Sequence, residues 1–147
     1  MKLLAEFKNI NESNLPEIVL QLLSYLKKPA ILFLSADLGM GKTTFVAQFC
    51  TALGIRDTSS PTYAIHNRYG HEQITVDHFD LYRLEDEDSI MASGFYDLMT
   101  ESSDFKIVEW PERLTDEAKK SFVKSYLLQI KKSADDSSAR DYSFFEF

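Results

Sequence analysis

Eight consecutive residues, Ala36-Asp37-Leu38-Gly39-Met40-Gly41-Lys42-Thr43, have the types and spacing of a loop that cradles phosphate. In such a loop successive backbone N–H groups wrap a β-phosphate, Lys42 carries an ammonium to the β/γ oxygens, and the Thr43 hydroxyl can face Mg²⁺. Ala36 stands where the pattern usually opens with glycine. A Cβ is compatible with that position if φ is negative, because left-handed backbone is costly for every residue but glycine. Gly39 and Gly41, the glycines nearest the phosphate, are present. Asp37, Leu38, Gly39, Met40, Gly41, Lys42, Thr43 and Thr44 are therefore the candidate nucleotide-binding residues, and the chain reads as a binder of a nucleoside triphosphate.

Holding a nucleotide needs only this loop, whereas hydrolysis also needs a metal anchor and a group that orients water, and carboxylates at strand ends supply both. Glu109 closes the apolar run Phe105-Lys106-Ile107-Val108 and is a candidate for the Mg²⁺ anchor, directly or through water. A second candidate lies in Asp77-His78-Phe79-Asp80. Residues three apart on a strand point to opposite faces, so only one of Asp77 and Asp80 can address the nucleotide, and the pattern does not choose between them. His66, His71 and His78 lack the tight spacing of a zinc site and read as satisfied or solvated side chains. Ser59, Ser60 and Thr62 occupy a polar connector where a hydroxyl-bearing switch could sense γ-phosphate, or simply form a turn.

Several elements must position these groups. Residues 2–10 alternate as a strand, and Asn14, Pro16 and Glu17 open a helix whose Leu15, Ile18, Val19, Leu22, Leu23 and Leu26 form one apolar stripe. The run 30–35 has the continuous apolar character of a strand buried on both faces, and it feeds the phosphate loop. A second helix spans 42–53, with Phe45, Val46, Phe49, Cys50 and Leu53 inward and Gly54 closing it. Its N-terminal dipole points at the phosphates. Runs 63–69 and 73–80 read as a hairpin around Gly70-His71-Glu72, and residues 85–88 as an acidic first helical turn followed by a second short helix over 94–100. A helix around 116–122 and a closing hairpin from Tyr126, Leu128 and Ile130 to the aromatic end 140–147 complete the chain. The pattern implies an α/β, P-loop NTPase-like three-layer sandwich, with a mixed, mainly parallel sheet and antiparallel hairpin strands.

The 147 residues form a single domain, 1–147, without need of disulfide or structural zinc. The lone Cys50 reads as a small buried apolar residue. No signal-peptide pattern or membrane-length apolar run is visible, so the expected location is cytoplasmic, without membrane association. The net charge of −7 argues against a broad basic surface that grips nucleic acid alone; any RNA-related role needs a partner.

The phosphate loop through Thr44, then Ser60-Pro61-Thr62-Tyr63, His78-Phe79-Asp80-Leu81-Tyr82-Arg83-Leu84 and Glu109-Trp110-Pro111-Glu112-Arg113-Leu114, occur in the order found in the bacterial TsaE family, also called YjeE, which this chain resembles over nearly its whole length. The resemblance implies a small ATPase, with ATP and Mg²⁺ as cofactors, that assists TsaB and TsaD in forming N6-threonylcarbamoyladenosine at position 37 of tRNAs reading ANN codons. The tRNA would be reached through those partners. It further implies that Lys42 binds phosphate, Thr43 and Glu109 hold Mg²⁺, Asp80 rather than Asp77 serves hydrolysis, and Ser60 with Thr62 forms the switch. Trp110 is a signature residue of the family, open to a role at the partner or nucleotide surface or in packing. Ala36 and Met40 depart from the family's commoner Gly and Ala without removing a backbone donor. Turnover by the isolated protein is expected to be slow, since none of Arg56, Arg68, Arg83 and Arg113 announces itself as an arginine finger. A small-molecule kinase and a non-hydrolytic nucleotide-dependent switch are the competing readings.

Overall fold

The computed structural model describes residues 1–58 and 65–147. The strands are β1 (Lys2–Ile10), β2 (Ala30–Ser35), β3 (His66–His71), β4 (Ile74–Asp80), β5 (Phe105–Glu109), β6 (Ser125–Lys132) and β7 (Arg140–Glu146). The helices are α1 (Leu15–Tyr25), α2 (Lys42–Ala52), α3 (Glu87–Ala92), α4 (Phe95–Met99) and α5 (Asp116–Ser121). The strands form one mixed sheet in the order β1-β7-β6-β2-β5-β4-β3. Its four central strands, β6, β2, β5 and β4, run parallel, and the outer pairings β1–β7, β7–β6 and β4–β3 are antiparallel.

Parallel neighbours require crossovers, and these lay helices on both faces of the sheet. On one face Leu15, Ile18, Val19 and Leu22 of α1 and Phe45, Phe49 and Cys50 of α2 pack with Leu32, Leu34, Ile107 and Leu128. On the other, Phe33, Phe79, Val108 and Leu127 meet Ile90, Phe95, Met99 and Leu114. The period of two along each strand makes this division: Leu32 and Leu34 face α1 and α2 while Phe33 between them faces α3 and α4. The resulting three layers are the expected α/β sandwich.

Local signals differ from expectation in two places. Asn14 does not cap α1: its backbone is already helical and its side chain makes no cap hydrogen bond. Asn11, in extended backbone, caps a short 3-10 turn over Glu12–Asn14 by accepting from the Asn14 N–H at 3.2 Å, and that turn runs into α1. A capping oxygen reaches the first N–H groups only from extended backbone, which Asn11 has and Asn14 lacks. The β3–β4 turn also starts two residues later than the expected Gly70-His71-Glu72 and ends one later, because His71 still pairs with Ile74 and the reversal occurs at Glu72 and Gln73, with Glu72 at φ 53°. Asp86 and Thr115 cap α3 and α5 through the N–H groups of Ser89 and Ala118. The expected switch residues Ser60 and Thr62 lie outside the described residues, as do the other residues of 59–64.

Candidate functional site

Three parallel strands end side by side. Leu34 of β2 pairs with Glu109 of β5, and Glu109 pairs with Asp80 of β4. The loop after β2 therefore emerges beside two carboxylates, at the carboxyl edge of the sheet where ligands of open α/β folds bind. Within that loop positive φ falls on Gly39 at 76° and Gly41 at 102°, and Ala36 is not among the positive-φ residues. Its Cβ is thus accommodated without left-handed strain. Gly41 is the residue before α2 and its carbonyl accepts from the Phe45 N–H at 2.9 Å, so the first helical turn opens directly onto the loop.

A cavity of about 410 Å³ lies at this edge. Gly39, Gly41, Lys42, Thr43 and Thr44 form its floor, Asp80 and Glu109 one wall, and Leu38, Tyr82 and Trp110 its rim. Met40 instead lines an adjoining cavity of about 220 Å³ with Ile10, Glu12, Leu15, Arg140 and Tyr142, which shares Gly39, Gly41 and Thr44 with the first. Asp37 lines a third, of about 190 Å³, with Ser35, Trp110 and Glu112. The loop residues singled out in the sequence are thus divided over three recesses around the start of α2.

Lys42 is buried, and its ammonium donates to the carbonyls of Ala36 at 2.7 Å and Asp37 at 3.1 Å. It also lies 4.6 Å from the centre of the Trp110 ring. An ammonium so placed gains cation–π attraction in addition to its hydrogen bonds. Trp110 has φ 59° and ψ 50°, a left-handed backbone unfavourable for a bulky residue and doubly so before proline. The turn that follows is tied down on both sides: the Ser35 hydroxyl donates to Glu112 and Arg113 donates to the Tyr82 carbonyl at 2.9 Å. Trp110 and Tyr82 lie 5.0 Å apart, and the Arg113 guanidinium sits 5.7 Å from one ring and 5.8 Å from the other. Among the described residues, Arg113 Nε is the one buried side-chain polar atom without a hydrogen-bond partner.

The two aspartates three residues apart divide as strand parity requires. Asp77 lies on the face away from α2, fully buried, and its carboxylate accepts from Arg68 at 2.8 and 3.0 Å, with His66 at 2.7 Å and Lys106 at 3.4 Å. Burial pushes its pKa up, but the hydrogen bonds from Arg68, His66 and Ser103 and the charge of Lys106 outweigh it, so the group is held down to about 2. Asp80 faces the cavity, its Oδ1 accepting from the Tyr82 N–H at 3.0 Å. Burial raises its pKa, and neighbouring Glu109 adds to that, against the Tyr82 N–H, His78 and Lys42. Asp80 and Glu109 are thus register partners on adjacent strands, and both carboxylates line the same cavity.

Thr43, Asp80 and Glu109 offer the hard oxygen donors that Mg²⁺ prefers, with room for the waters and phosphate oxygens that normally fill its octahedron. No cluster of three or more His, Cys, Asp or Glu side chains able to hold a metal occurs among the described residues, so an ion here would draw most of its ligands from a nucleotide and water. Cys50 is buried and free, its thiol pushed up to about 11 by desolvation, as expected of an inert core residue.

Two contributors carried little sequence signal. His78 is almost wholly buried and its Nε2 lies 2.6 Å from Glu109 Oε2. Its parity with Asp80 could have placed it on the same face, but its spacing from Glu109 could not have shown the contact. Arg140 Nε donates to the Met40 carbonyl at 3.2 Å, gripping the phosphate loop from β7 across 100 positions of sequence. No local pattern foreshadows that pairing.

Sandwich topology, glycine loop and helix start together define the class, an α/β domain of the P-loop type. The chain belongs to the TsaE family: the family described as threonylcarbamoyl adenosine biosynthesis protein TsaE matches residues 10–142. Among its relatives, the tRNA threonylcarbamoyladenosine biosynthesis protein TsaE of Bacillus subtilis is 29% identical over 132 residues, 89% of this chain and 80% of that protein. The proteins of the same name from Haemophilus influenzae and Synechocystis are 34% and 37% identical over 98 and 100 residues, covering 66% and 64% of this chain and 60% and 62% of their own lengths. The crystal structure of Bacillus subtilis YdiB superposes with a TM-score of 0.68 at 22% identity, covering 99% of this chain and 88% of that one, and so shares the fold. No helix among the described residues is long and apolar enough to cross a membrane.

Proposed function

We propose that this protein binds MgATP at the phosphate loop, hydrolyses it, and through that cycle serves formation of N6-threonylcarbamoyladenosine in tRNA together with TsaB and TsaD. One observation carries the chemistry: Lys42 and Thr43 at the start of α2 share a single cavity with Asp80 and Glu109 at the ends of adjacent parallel strands. Family membership supports the pathway.

The β-phosphate lies against the N–H groups of the loop and the N-terminus of α2, where aligned backbone dipoles favour anions. Lys42 moves from the Ala36 and Asp37 carbonyls to the phosphate oxygens. Thr43 and Glu109 would hold Mg²⁺, which would supply charge neutralisation for the phosphate oxygens. Asp80, whose carboxyl is raised, or Glu109 orients the attacking water. The nucleoside end leaves the floor on the Thr44 side toward Ile10, Glu12, Leu15 and Tyr142. Among the described residues no arginine lines the cavity that holds Lys42, Asp80 and Glu109, Arg113 donating to the Tyr82 carbonyl and Arg140 to the Met40 carbonyl, and this supports slow turnover by the protein alone.

Single-turnover hydrolysis with and without TsaB and TsaD tests the cycle. Faster phosphate release with the partners is expected; equal rates remove the stimulation. Modified adenosine formed over several turnovers, with and without ATP, tests the pathway, and full modification by Asp80→Asn would replace hydrolysis with a binding-only switch.

A further inference from the structure

We propose that His78, backed by Tyr69, is a positioning residue that aims the Glu109 carboxylate at the metal; the inference rests on the MgATP reading above. The three residues lie on three adjacent strands, β3, β4 and β5, and all have the parity that faces α2. Tyr69 and His78 are in ring contact at 5.9 Å, the Tyr69 hydroxyl is 3.1 Å from His78 Nδ1, and His78 Nε2 is 2.6 Å from Glu109 Oε2. All three are buried.

The direction of these hydrogen bonds follows from donor inventory. A carboxylate only accepts, so His78 Nε2 carries a proton and donates to Glu109, and in neutral imidazole Nδ1 then accepts from the Tyr69 hydroxyl. One oxygen of Glu109 is thereby occupied, and the residue, still part of the cavity wall, has Oε1 to turn toward an ion. Without the imidazole the carboxylate could rotate about its last torsion, which is broad for Glu, or swing toward water and away from the cavity. Ligating carboxylates are commonly oriented by such partners, and losing the partner typically costs about 10–100-fold in metal affinity.

Packing alone does not account for the pair. Buried charged or hydrogen-bonded pairs are often replaceable by apolar residues of similar volume without loss of stability, so stability is a weak account of this one. The pair does supply a fixed direction for one carboxylate at the end of a strand, where the metal must be met.

Two isosteres separate direction from bulk. His78→Gln places an amide nitrogen at about the reach of Nε2, whereas His78→Asn places one only at about the reach of Nδ1, on the Tyr69 side. The assays are the Mg²⁺ midpoint of ATP hydrolysis, nucleotide affinity in EDTA, and thermal stability of the full chain. His78→Asn is expected to raise the Mg²⁺ midpoint about 10–100-fold, with metal-free nucleotide affinity unchanged and turnover largely restored by excess Mg²⁺. His78→Gln is expected to return the midpoint to within about threefold of wild type, since its amide N–H can donate to the same carboxylate oxygen. Should both His78 variants fail to fold, Tyr69→Phe is read instead, with a shift of about 2–10-fold expected from loss of one neutral hydrogen bond. Unshifted midpoints in His78→Asn, no rescue by His78→Gln, or an unshifted Tyr69→Phe where that variant is decisive, overturn the positioning role. Those results arise with an active wild type; a wild type that binds no MgATP overturns the parent reading and this inference with it.

Discussion

Replacing Asp77 and Asp80 one at a time, each by Asn, should separate stability from chemistry in two residues that the sequence presents as near equivalents. Asp77 is fully buried among Arg68, His66 and Lys106, and its pKa is held down to about 2 from 3.8. That depression is worth about 2 kcal/mol in favour of the ionised form. Asp77→Asn discards it and leaves the buried Lys106 ammonium without its carboxylate, so the expected loss is about 2–4 kcal/mol, or roughly 4–16 °C in Tm for a chain of this size. The sign with pH follows from a depressed folded pKa. The stabilisation is complete above the unfolded value near 4 and disappears as pH falls through about 2, so wild type and Asp77→Asn should converge between those limits. Asp80 behaves oppositely. Its folded pKa is raised, so ionisation at neutral pH costs stability, and Asp80→Asn, whose amide oxygen can still accept from Tyr82, should melt no lower than wild type. Its ATP turnover should nevertheless fall at least about a hundredfold, the smallest contribution typical of a positioned acid–base group. Urea titrations at pH 7 and pH 3, paired with single-turnover hydrolysis at pH 7, provide the measurements. An Asp77→Asn protein of unchanged stability but lost turnover, or an Asp80→Asn protein with the reverse, would refute the assignment.

Lys42→Ala should weaken MgATP binding about 10–150-fold in calorimetry, the equivalent of about 1.5–3 kcal/mol for a charge-assisted contact, and unchanged affinity would remove Lys42 from the phosphate site. Trp110 is the chain's one tryptophan and lies 4.6 Å from the Lys42 ammonium, so MgATP titration should change its emission with the calorimetric midpoint. The same titration of Lys42→Ala at saturating nucleotide should lose most of that change; an equal response would show that the ammonium is not what Trp110 senses. Phe49 is fully buried, edge-on to Phe105 at 5.3 Å, and Phe49→Ala should cost about 3–5 kcal/mol by equilibrium unfolding, a loss that a solvent-facing α2 would not suffer.

Much of the architecture was legible because its signals are local. The strand at 30–35, the glycines of the phosphate loop, the stripes of α1 and α2 and the closing hairpin all follow from periods of 2.0 and 3.6 or from the backbone needs of glycine. The misplaced cap at Asn14 and the shifted hairpin turn show where that reading weakens. Neighbouring Asn11 and Asn14 can both cap, and only the path of the chain out of β1 selects one. His71 pairs with Ile74 because register along the whole hairpin outweighs the turn preference of Gly70.

By itself the sequence determined that a glycine-containing loop follows a buried strand and opens a helix at Lys42, that Asp77 and Asp80 must part to opposite faces, and that Glu109 ends a strand. Which face meets the loop was decided by tertiary structure, through the register that sets Leu34, Glu109 and Asp80 abreast. So were the contacts of His78 with Glu109 and of Arg140 with Met40, across 31 and 100 positions. Alternation along a strand is a property of one segment, whereas adjacency across parallel strands depends on crossovers of many residues, and it exists only once both faces of the sheet are covered.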